Sequence, residues 1–499
     1  MILSAFAGVV AWALLSQLRR TSRYDLKRIP GPTTVPLVGN LGAVIGSSYV
    51  RKVLAKWTNE YGSVFKWSLI GKDILVITDP EEVYKLCSRE ANLPKAWALY
   101  KGLNTRAPHN NILATPDNEE WKYMRKMTNP AFSPENIRKA YPQILGAACK
   151  ATEVLKKTSI AGLVDVSDLS ARVTAEIINS LAALPMLQTS KEQQDDIALT
   201  FTNPFYALLL VVWPWHPRAK RFQHNQATVW KRGVQPEANT SLWACLGRFV
   251  NYKDGSPIPS ATIATNAGLF FGAGYETTAH AITWALFELA AEPSIQARVR
   301  KELSEAGLVA TPDQPTPRKP DFADLSKLKV LEAVIKETLR LHVTAPLGSV
   351  READRDMVIK GYRVPKGVTL MLSPHPMHVS HDNYLHPDKF WPERWISDTV
   401  TKGDSKHSAH PDATTKGNRR NISASWNPFS TGPRNCIGQT LALAELRTVL
   451  AVMIGNFFFK LPEGVQREKF IDEEEVWWVT LQAKHGLPLK VTPITAVQA

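Results

Sequence analysis

Cys436 is the residue with the clearest capacity for chemistry, and it lies in the segment F-S-T-G-P-R-N-C-I-G. The pattern predicts a loop that runs directly into a helix, where the positive end of the helix dipole favours thiolate, the form that binds iron. Gly432 and Gly438 let the backbone approach a flat ligand closely. Phe429 can pack on an apolar face, and Arg434 offers a cation to a carboxylate. A lone cysteine is usually an inert small hydrophobe, so the metal-ligand interpretation depends on these neighbours.

Glu276 and Thr277 place an acid beside a hydroxyl, in the middle of a long apolar helical pattern over residues 257–291. They belong to the stretch A-G-Y-E-T-T, whose glycine costs a helix about 0.5–1 kcal/mol relative to alanine. A threonine hydroxyl there can replace a backbone hydrogen bond and open the helix to water or O2. An acid–alcohol pair could then relay protons. The simpler alternative is a buried threonine bonded to its own turn.

Two further pairs have helical spacing. Glu337 and Arg340 are three residues apart, and Trp121 and Arg125 are four apart, so the members of each pair share a helix face. Taken alone, a Glu–Arg pair of this kind is most often a solvated surface pair of little consequence.

The elements that must position these residues are mostly helical. Helical patterns cover residues 51–60, 80–89, 117–129, 135–157, 167–184, 192–210, 257–291, 294–305, 325–341 and 439–457, and short strand patterns cover 64–69, 74–78 and 346–373. Helices and strands do not alternate regularly, so we predict an α+β fold that is mainly α with a small β lobe.

The composition excludes several classes of protein. The 499 residues are 44% hydrophobic and 21% charged, as in globular domains, and a mean hydropathy of −0.18 excludes a polytopic membrane protein. The net charge of +14 favours acidic partners, but no nucleic-acid-binding signature accompanies it. The sequence has no zinc-type cysteine spacing and no dinucleotide- or phosphate-binding glycine motif. Electrons for redox chemistry would therefore come from another protein.

The chain begins with an apolar segment. Residues 1–18 carry no charge and would span about 27 Å as a helix, close to the thickness of a bilayer core. The basic residues that follow, from Arg19 to Arg28, keep that flank in the cytosol. We therefore predict an anchor over 1–18, a basic and Pro-rich hinge over 19–36, and a catalytic domain over 37–499. An organelle transit segment or an amphipathic interfacial helix is the alternative.

The cysteine segment resembles the haem-ligand signature F-x-x-G-x-R-x-C-x-G of the cytochrome P450 family at all five fixed positions. Further motifs follow the family's order. Residues 337–340 resemble its E-x-x-R, residues 392–395 resemble the segment that supplies a second arginine, and residues 273–278 resemble its A-G-x-[DE]-T-[TS]. Trp121 and Arg125 resemble its W-x-x-x-R. The resemblance covers essentially the whole chain.

The resemblance implies a helical prism around haem b, which lies between the central helix and the helix after the cysteine. Cys436 would be the iron ligand. Glu276 and Thr277 would relay protons for O2 cleavage. The residues implied to bind haem are Cys436, Arg434, Phe429, Gly432, Gly438, Trp121, Arg125, Arg351, Ala273 and Gly274, and those implied to form the structural core behind the cysteine loop are Glu337, Arg340 and Arg394.

The same resemblance implies the reaction and its partners. One oxygen atom of O2 would enter a lipophilic substrate such as a fatty acid, sterol, terpenoid or carotenoid. Electrons would come from an NADPH-cytochrome reductase, a flavoprotein, with cytochrome b5 as a further candidate. The candidate residues for contact with the flavoprotein are Lys122, Lys126 and Lys139. The expected location is the endoplasmic reticulum membrane, single-pass with a cytosolic catalytic domain, or alternatively a plastid membrane. The stretches expected to line the substrate pocket are 97–115, 201–212, 347–349 and 477–478.

Three other functions compete with this interpretation. A relative that rearranges a peroxide without a reductase would commonly lack the acid–alcohol pair, which is intact here. A non-catalytic haem-binding protein at a membrane would need no proton relay. A basic, membrane-anchored protein that binds nucleic acid or lipid has only the net charge in its favour. The sequence does not choose among substrates.

Overall fold

The long helices of the chain follow the predicted order. The fold is that of a computed structural model, which describes residues 25–35, 38–44, 50–69, 72–91, 93–97, 100, 111–182, 241–258, 260–311, 313–396, 425–477 and 480–494. The predicted anchor over 1–18, the helix over 192–210, the pocket stretch 201–212 and Trp478 lie outside these residues.

Helices make up most of the described chain, which confirms the mainly α fold with a small β lobe. They are α1 (Leu41–Val44), α2 (Val50–Tyr61), α3 (Pro80–Cys87), α4 (Asn118–Thr128), α5 (Pro134–Lys139), α6 (Tyr141–Thr158), α7 (Val166–Ala182), α8 (Leu242–Gly247), α9 (Ser260–Ala291), α10 (Pro293–Glu305), α11 (Lys329–Leu341), α12 (Pro374–His378), α13 (Gln439–Asn456) and α14 (Arg467–Glu474). Short 3-10 helices include Asp25–Lys27 and Pro392–Trp395.

The strands form small sheets beside the helices. They are β1 (Val64–Leu69), β2 (Lys72–Ile77), β3 (Leu163–Asp165), β4 (Ser349–Glu352), β5 (Met357–Ile359), β6 (Tyr362–Val364), β7 (Thr369–Leu372), β8 (Phe457–Lys460), β9 (Glu475–Trp477), β10 (Leu481–Ala483) and β11 (Pro488–Pro493). The largest sheet has the order β1-β2-β7-β4, in which only β2 and β7 run parallel. The other sheets are β3-β11-β8, β9-β10 and β5-β6.

Helix α9 runs through the main core. Its sequence is apolar on all sides, as expected of a helix surrounded by protein, and side chains such as Ile282 and Trp284 are fully buried. It packs against α7, where Gly274 makes room: a Cβ atom there would stand 2.9 Å from Ile178. The helix is continuous from Ser260 to Ala291, so the interruption expected around Gly274 is absent from it.

The region predicted as one helix over 135–157 is two helices, α5 and α6. They are separated at Ala140, and Pro142 lies in the first turn of α6. Proline lacks the N–H that a continuing helix would need, but it is well tolerated in a first turn, which explains the break.

The segment before α1 belongs to the folded body. Leu26 and Ile29 are each 4% exposed and lie in a second apolar cluster under the largest sheet. The backbone N–H of Lys66 in β1 donates to Pro30 O at 2.8 Å. A Cβ atom on Gly31 would stand 1.9 Å from Lys66 O, so this glycine permits the close approach.

Candidate functional site

The cysteine loop ends at the N-terminus of α13, as predicted. Gly438 is the residue before the helix, and the backbone N–H of Cys436 donates to Phe429 O at 2.9 Å, which closes the loop. The surrounding protein atoms raise the pKa of the Cys436 thiol, whereas the Gly438 N–H and the Arg125 guanidinium counteract this rise. Because its side chain is exposed, Cys436 is accessible to a ligand.

An exposed stretch of α9 accompanies the exposed cysteine. Ala273 is exposed although Phe271 and Tyr275, two residues to either side, are buried. The Thr277 hydroxyl lies one turn later and donates to Ala273 O at 2.7 Å. Helix α9 packs against α13, the helix into which the cysteine loop leads, so these accessible positions belong to neighbouring elements. We call the accessible positions Ala273, Thr277 and Cys436 together the open face.

Glu276 is oriented by a different partner from that of Thr277. Its carboxyl is buried and accepts a hydrogen bond from the Thr480 hydroxyl at 2.8 Å. Burial raises the pKa of Glu276 to about 7, and the hydrogen bond from Thr480 opposes that rise. The acid and the alcohol are therefore adjacent in sequence but are held separately.

Arg434 extends from the cysteine loop towards α4. Its two terminal nitrogens donate to Thr115 O at 2.9 Å and to Asn118 Oδ1 at 2.8 Å, and its guanidinium lies 4.8 Å from the Trp121 ring centroid. Its Nε is buried and has no hydrogen-bond partner among the described residues. Burial and the nearby Arg351 lower the pKa of Arg434 to about 9.

Lys95 and Arg351 complete a cation cluster with Arg434. Lys95 is 6% exposed and donates to two neutral hydroxyls, those of Tyr100 and Ser349. Burial and the two arginines hold the pKa of Lys95 well below its usual value. Arg351 donates to Leu93 O at 3.1 Å, and its buried Nε likewise has no hydrogen-bond partner in the part of the chain that the structure describes.

Within the described ranges, no carboxylate lies at ion-pair distance from any member of this cation cluster. Among the described residues, Asp117 is the one carboxylate that raises the pKa of Arg434, and it forms no ion pair with it. Buried cations without a close counter-ion are costly, so the cluster fits an anionic ligand. The two carboxylates of haem b would meet that need, and the thiol on the open face suits its iron. The residues present therefore fit this cofactor.

Arg125 holds the cysteine loop from outside. Its guanidinium donates to Asn435 O at 2.7 Å and to Asn435 Oδ1 at 2.9 Å, one residue before Cys436. Trp121 on the same helix is buried and lies under the Arg434 guanidinium, so α4 contacts the loop through both predicted residues.

The two glycines of the site, Gly432 and Gly438, differ in how closely other atoms approach them. Gly432 has φ +75°, and a Cβ atom there would stand 1.8 Å from Cys87 O, so its closest approach is to the end of α3. A Cβ atom on Gly438 would meet only Cys436 Sγ, at 3.9 Å. Phe429 packs beside Trp426, with ring centroids 6.2 Å apart.

Glu337, Arg340 and Arg394 are brought together behind the loop. Arg340 pairs with both oxygens of Glu337 at 2.8 and 2.9 Å, and Arg394 Nε donates to Glu337 Oε1 at 3.0 Å. Arg340 also donates to three backbone carbonyls of the segment 378–389, and all three charged side chains are buried. The trio therefore ties α11 to the irregular segment that leads to the cysteine loop.

Sequence reasoning missed Lys95, Thr480 and His280. The only sequence signal for Lys95 was a lone cation in the apolar stretch Leu93–Trp97. Thr480 meets Glu276 and His280 through packing of the C-terminal segment on α9, which no local pattern reveals. The signal for His280 was its spacing of four residues from Glu276, which places both on one helix face.

Within the described ranges, no helix is both long enough and apolar enough to cross a membrane.

The model of the family described as Cytochrome P450 matches residues 29–487 of the chain. Similar proteins include cytochrome P450 3A12 of Canis lupus familiaris, 23% identical over 93% of this chain and 91% of the relative. Cytochrome P450 3A29 of Sus scrofa is 26% identical over 87% and 85%. Cytochrome P450 monooxygenase sphH of Aspergillus fumigatus is 24% identical over 98% and 92%.

Proposed function

The chain belongs to the cytochrome P450 family, and on this premise we propose that it inserts one oxygen atom of O2 into a lipophilic substrate. Members of the family are oxidoreductases that bind haem b and use redox partners. The observation that carries the proposal is the exposed Cys436 thiol in the loop that leads into α13, the helix that packs against the α9 of Thr277.

Haem b, when bound, supplies the iron at which O2 is activated. Cys436 would hold the iron, and the cation cluster of Lys95, Arg351 and Arg434 would hold the two carboxylates. Trp121 and Arg125 fix the positions of Arg434 and of the loop, respectively. The exposed methyl group of Ala273 leaves room for a flat ring.

Glu276 and Thr277 would transfer protons in this reaction. Glu276, with a pKa near 7, can both accept and release a proton at neutral pH. The Thr277 hydroxyl lies on the open face, where it can exchange its bond to Ala273 O for one to water. Thr277→Ala should release hydrogen peroxide from NADPH oxidation at the expense of product, whereas Thr277→Ser should preserve the coupling.

The electron donor is proposed to be an NADPH-cytochrome reductase, with cytochrome b5 as a second donor. Lys122, Lys126 and Lys139 are exposed on α4 and α5, close to the loop that carries Cys436. Lys122 and Lys139 already pair with Glu119 and Glu135, at 2.7 Å each. A reductase docking there should lose affinity as salt rises, because exposed charge pairs are screened.

The location is proposed to be the endoplasmic reticulum membrane, through a helix over residues 1–18. The test is a deletion that stops before the folded body begins, since Leu26 and Ile29 are core residues. Removing residues 1–24 should release the protein from membranes with its haem spectrum intact. Release without haem, or no release, would contradict a separate anchor.

The absorption spectrum of the reduced protein with carbon monoxide tests the cofactor and its ligand together. A strongly red-shifted Soret band is expected, and Cys436→Ala should abolish it. Cys149→Ala is the matched control, because Cys149 lies on α6, outside the site. Folded protein without haem, or haem with an unshifted band, would refute the proposal.

A further inference from the structure

The C-terminal segment supplies a hydroxyl to the carboxyl of Glu276. Thr480 is 5% exposed, and its Oγ1 donates to Glu276 Oε1 at 2.8 Å. The same oxygen lies 3.0 Å from Nδ1 of His280, one turn after Glu276 on α9. A hydroxyl has one proton to donate and lone pairs to accept, so it can link the two side chains.

The position of Thr480 is fixed by its neighbour Leu481. The backbone N–H of Leu481 donates to Thr344 O at 3.0 Å, and its carbonyl accepts from Trp284 Nε1 at 3.2 Å. Trp284 is fully buried on α9, so the segment is attached to the same helix that carries Glu276. The hydroxyl is therefore held in place, and Glu276 is oriented by it.

The hydrogen-bond directions define the state of His280. Because the Thr480 proton points to Glu276, the hydroxyl accepts from Nδ1–H of His280. Burial lowers the pKa of His280 to about 4, so the ring is neutral at pH 7, with Nε2 free of a proton. His280 is partly exposed as a residue, so we take water to reach its ring.

We infer that Thr480 positions the Glu276 carboxyl and that His280, through Thr480, resupplies its proton. A proton from hydronium binds His280 Nε2 and leaves water, the Nδ1 proton passes to Thr480 Oγ1, and the hydroxyl proton passes to Oε1 of the ionised Glu276. One N–H and two O–H bonds break, and one N–H and two O–H bonds form; exchange with water restores the Nδ1–H tautomer. This inference rests on the proposed monooxygenase function and adds a second source of protons behind the open face.

The first test measures the titration of Glu276 in the holoenzyme by infrared difference spectroscopy, with Glu276→Gln to identify its band. Among the described residues, no charged side chain shifts the pKa of Glu276; burial and Thr480 alone do so. Thr480→Val removes a bond that favours the ionised form, so the acid dissociation constant should fall about tenfold. Thr480→Ser and His280→Gln keep their donors and should titrate as the wild type does. An unchanged titration in Thr480→Val would overturn the positioning role.

The second test asks whether His280 supplies protons to Glu276, apart from the positioning of Glu276 by Thr480. With reductase, NADPH and O2 but no substrate, proton delivery favours water over hydrogen peroxide as the product. The amide of His280→Gln can donate to Thr480 but cannot pass a proton on, so peroxide per NADPH should rise about twofold or more. The same yield in His280→Gln and in the wild type would exclude the supply route. Loss of the red-shifted carbon monoxide band in wild type would instead refute the proposed function itself.

Discussion

Lys95 is a buried amine whose charged form an added anion would stabilise. Its ammonium donates to Tyr100 and Ser349, which are neutral, and lies beside two arginines. A hydrogen bond to a charged group contributes about 1.5–3 kcal/mol, or roughly tenfold to a hundredfold in a binding constant. Lys95→Met should therefore release haem to excess apomyoglobin at least about tenfold faster. Ser349→Ala, which leaves the charge in place, is the control and should change the rate little; equal effects would assign Lys95 a packing role only.

Glu276 should make stability depend on pH in an unusual direction. Its pKa is about 7 in the folded protein and about 4.5 in an unfolded chain. Between these values the folded state binds the additional proton, so the free energy of unfolding falls as pH rises. Relative to Glu276→Gln, the wild type should lose about 3 kcal/mol across this window. Thermal unfolding at several pH values measures this, with Glu305→Gln at the exposed end of α10 as the control; a constant difference would contradict a raised pKa.

The cysteine loop is shaped by its contact with α3 as much as by its own turn. A side chain on Gly432 would both strain a φ of +75° and strike Cys87 O, whereas Gly464 has a similar φ of +78° and open space. Gly464→Ala should cost about 1 kcal/mol of unfolding free energy, the price of the backbone conformation alone. Gly432→Ala should cost several-fold more and displace Cys436, visible as a weakened red-shifted band. Equal losses of unfolding free energy in the two variants, measured by urea titration, would show that the loop can shift away from α3 without cost.

The helices were predictable from the sequence because each carries its own periodic pattern and its own ends. For α4, the Asp117 side chain caps the helix by accepting from the N–H groups of Glu119 and Glu120, as its position in the sequence suggests. The partners of the site residues were not predictable. Glu276 and Thr277 are neighbours, but the side chains of consecutive helical residues point about 100° apart. Glu276 therefore bonds to Thr480, whereas Thr277 bonds to Ala273 O.

Across the whole molecule, a buried chain of charges joins parts of the fold that are distant in sequence. Arg51 of α2 pairs with Glu475 of β9, whose other oxygen lies 3.0 Å from His342 Nδ1. His342 Nε2 lies 2.7 Å from Glu288 of α9, which also accepts two hydrogen bonds from Arg467 of α14. Helix α2, the central helix α9 and strand β9, which pairs with β10 next to Thr480, are therefore held by one network.

Glu288 is the member of this network whose removal should lower the free energy of unfolding most. Burial alone would raise its pKa, but hydrogen bonds from His342 and Arg467 lower it below the usual value. The stabilisation is therefore complete above about pH 4.5 and is lost as pH falls through the lower folded pKa. Breaking a buried ion pair costs about 3–5 kcal/mol, so Glu288→Gln should lower the free energy of unfolding by that amount at pH 7, and by less in acid. Glu153→Gln, which breaks only the exposed pair with Lys156, should cost under about 0.5 kcal/mol. Urea unfolding at pH 7 and pH 4 distinguishes the cases: a loss for Glu288→Gln no greater than for Glu153→Gln would mean that the network only fills space and that the segment carrying Thr480 is held by packing alone.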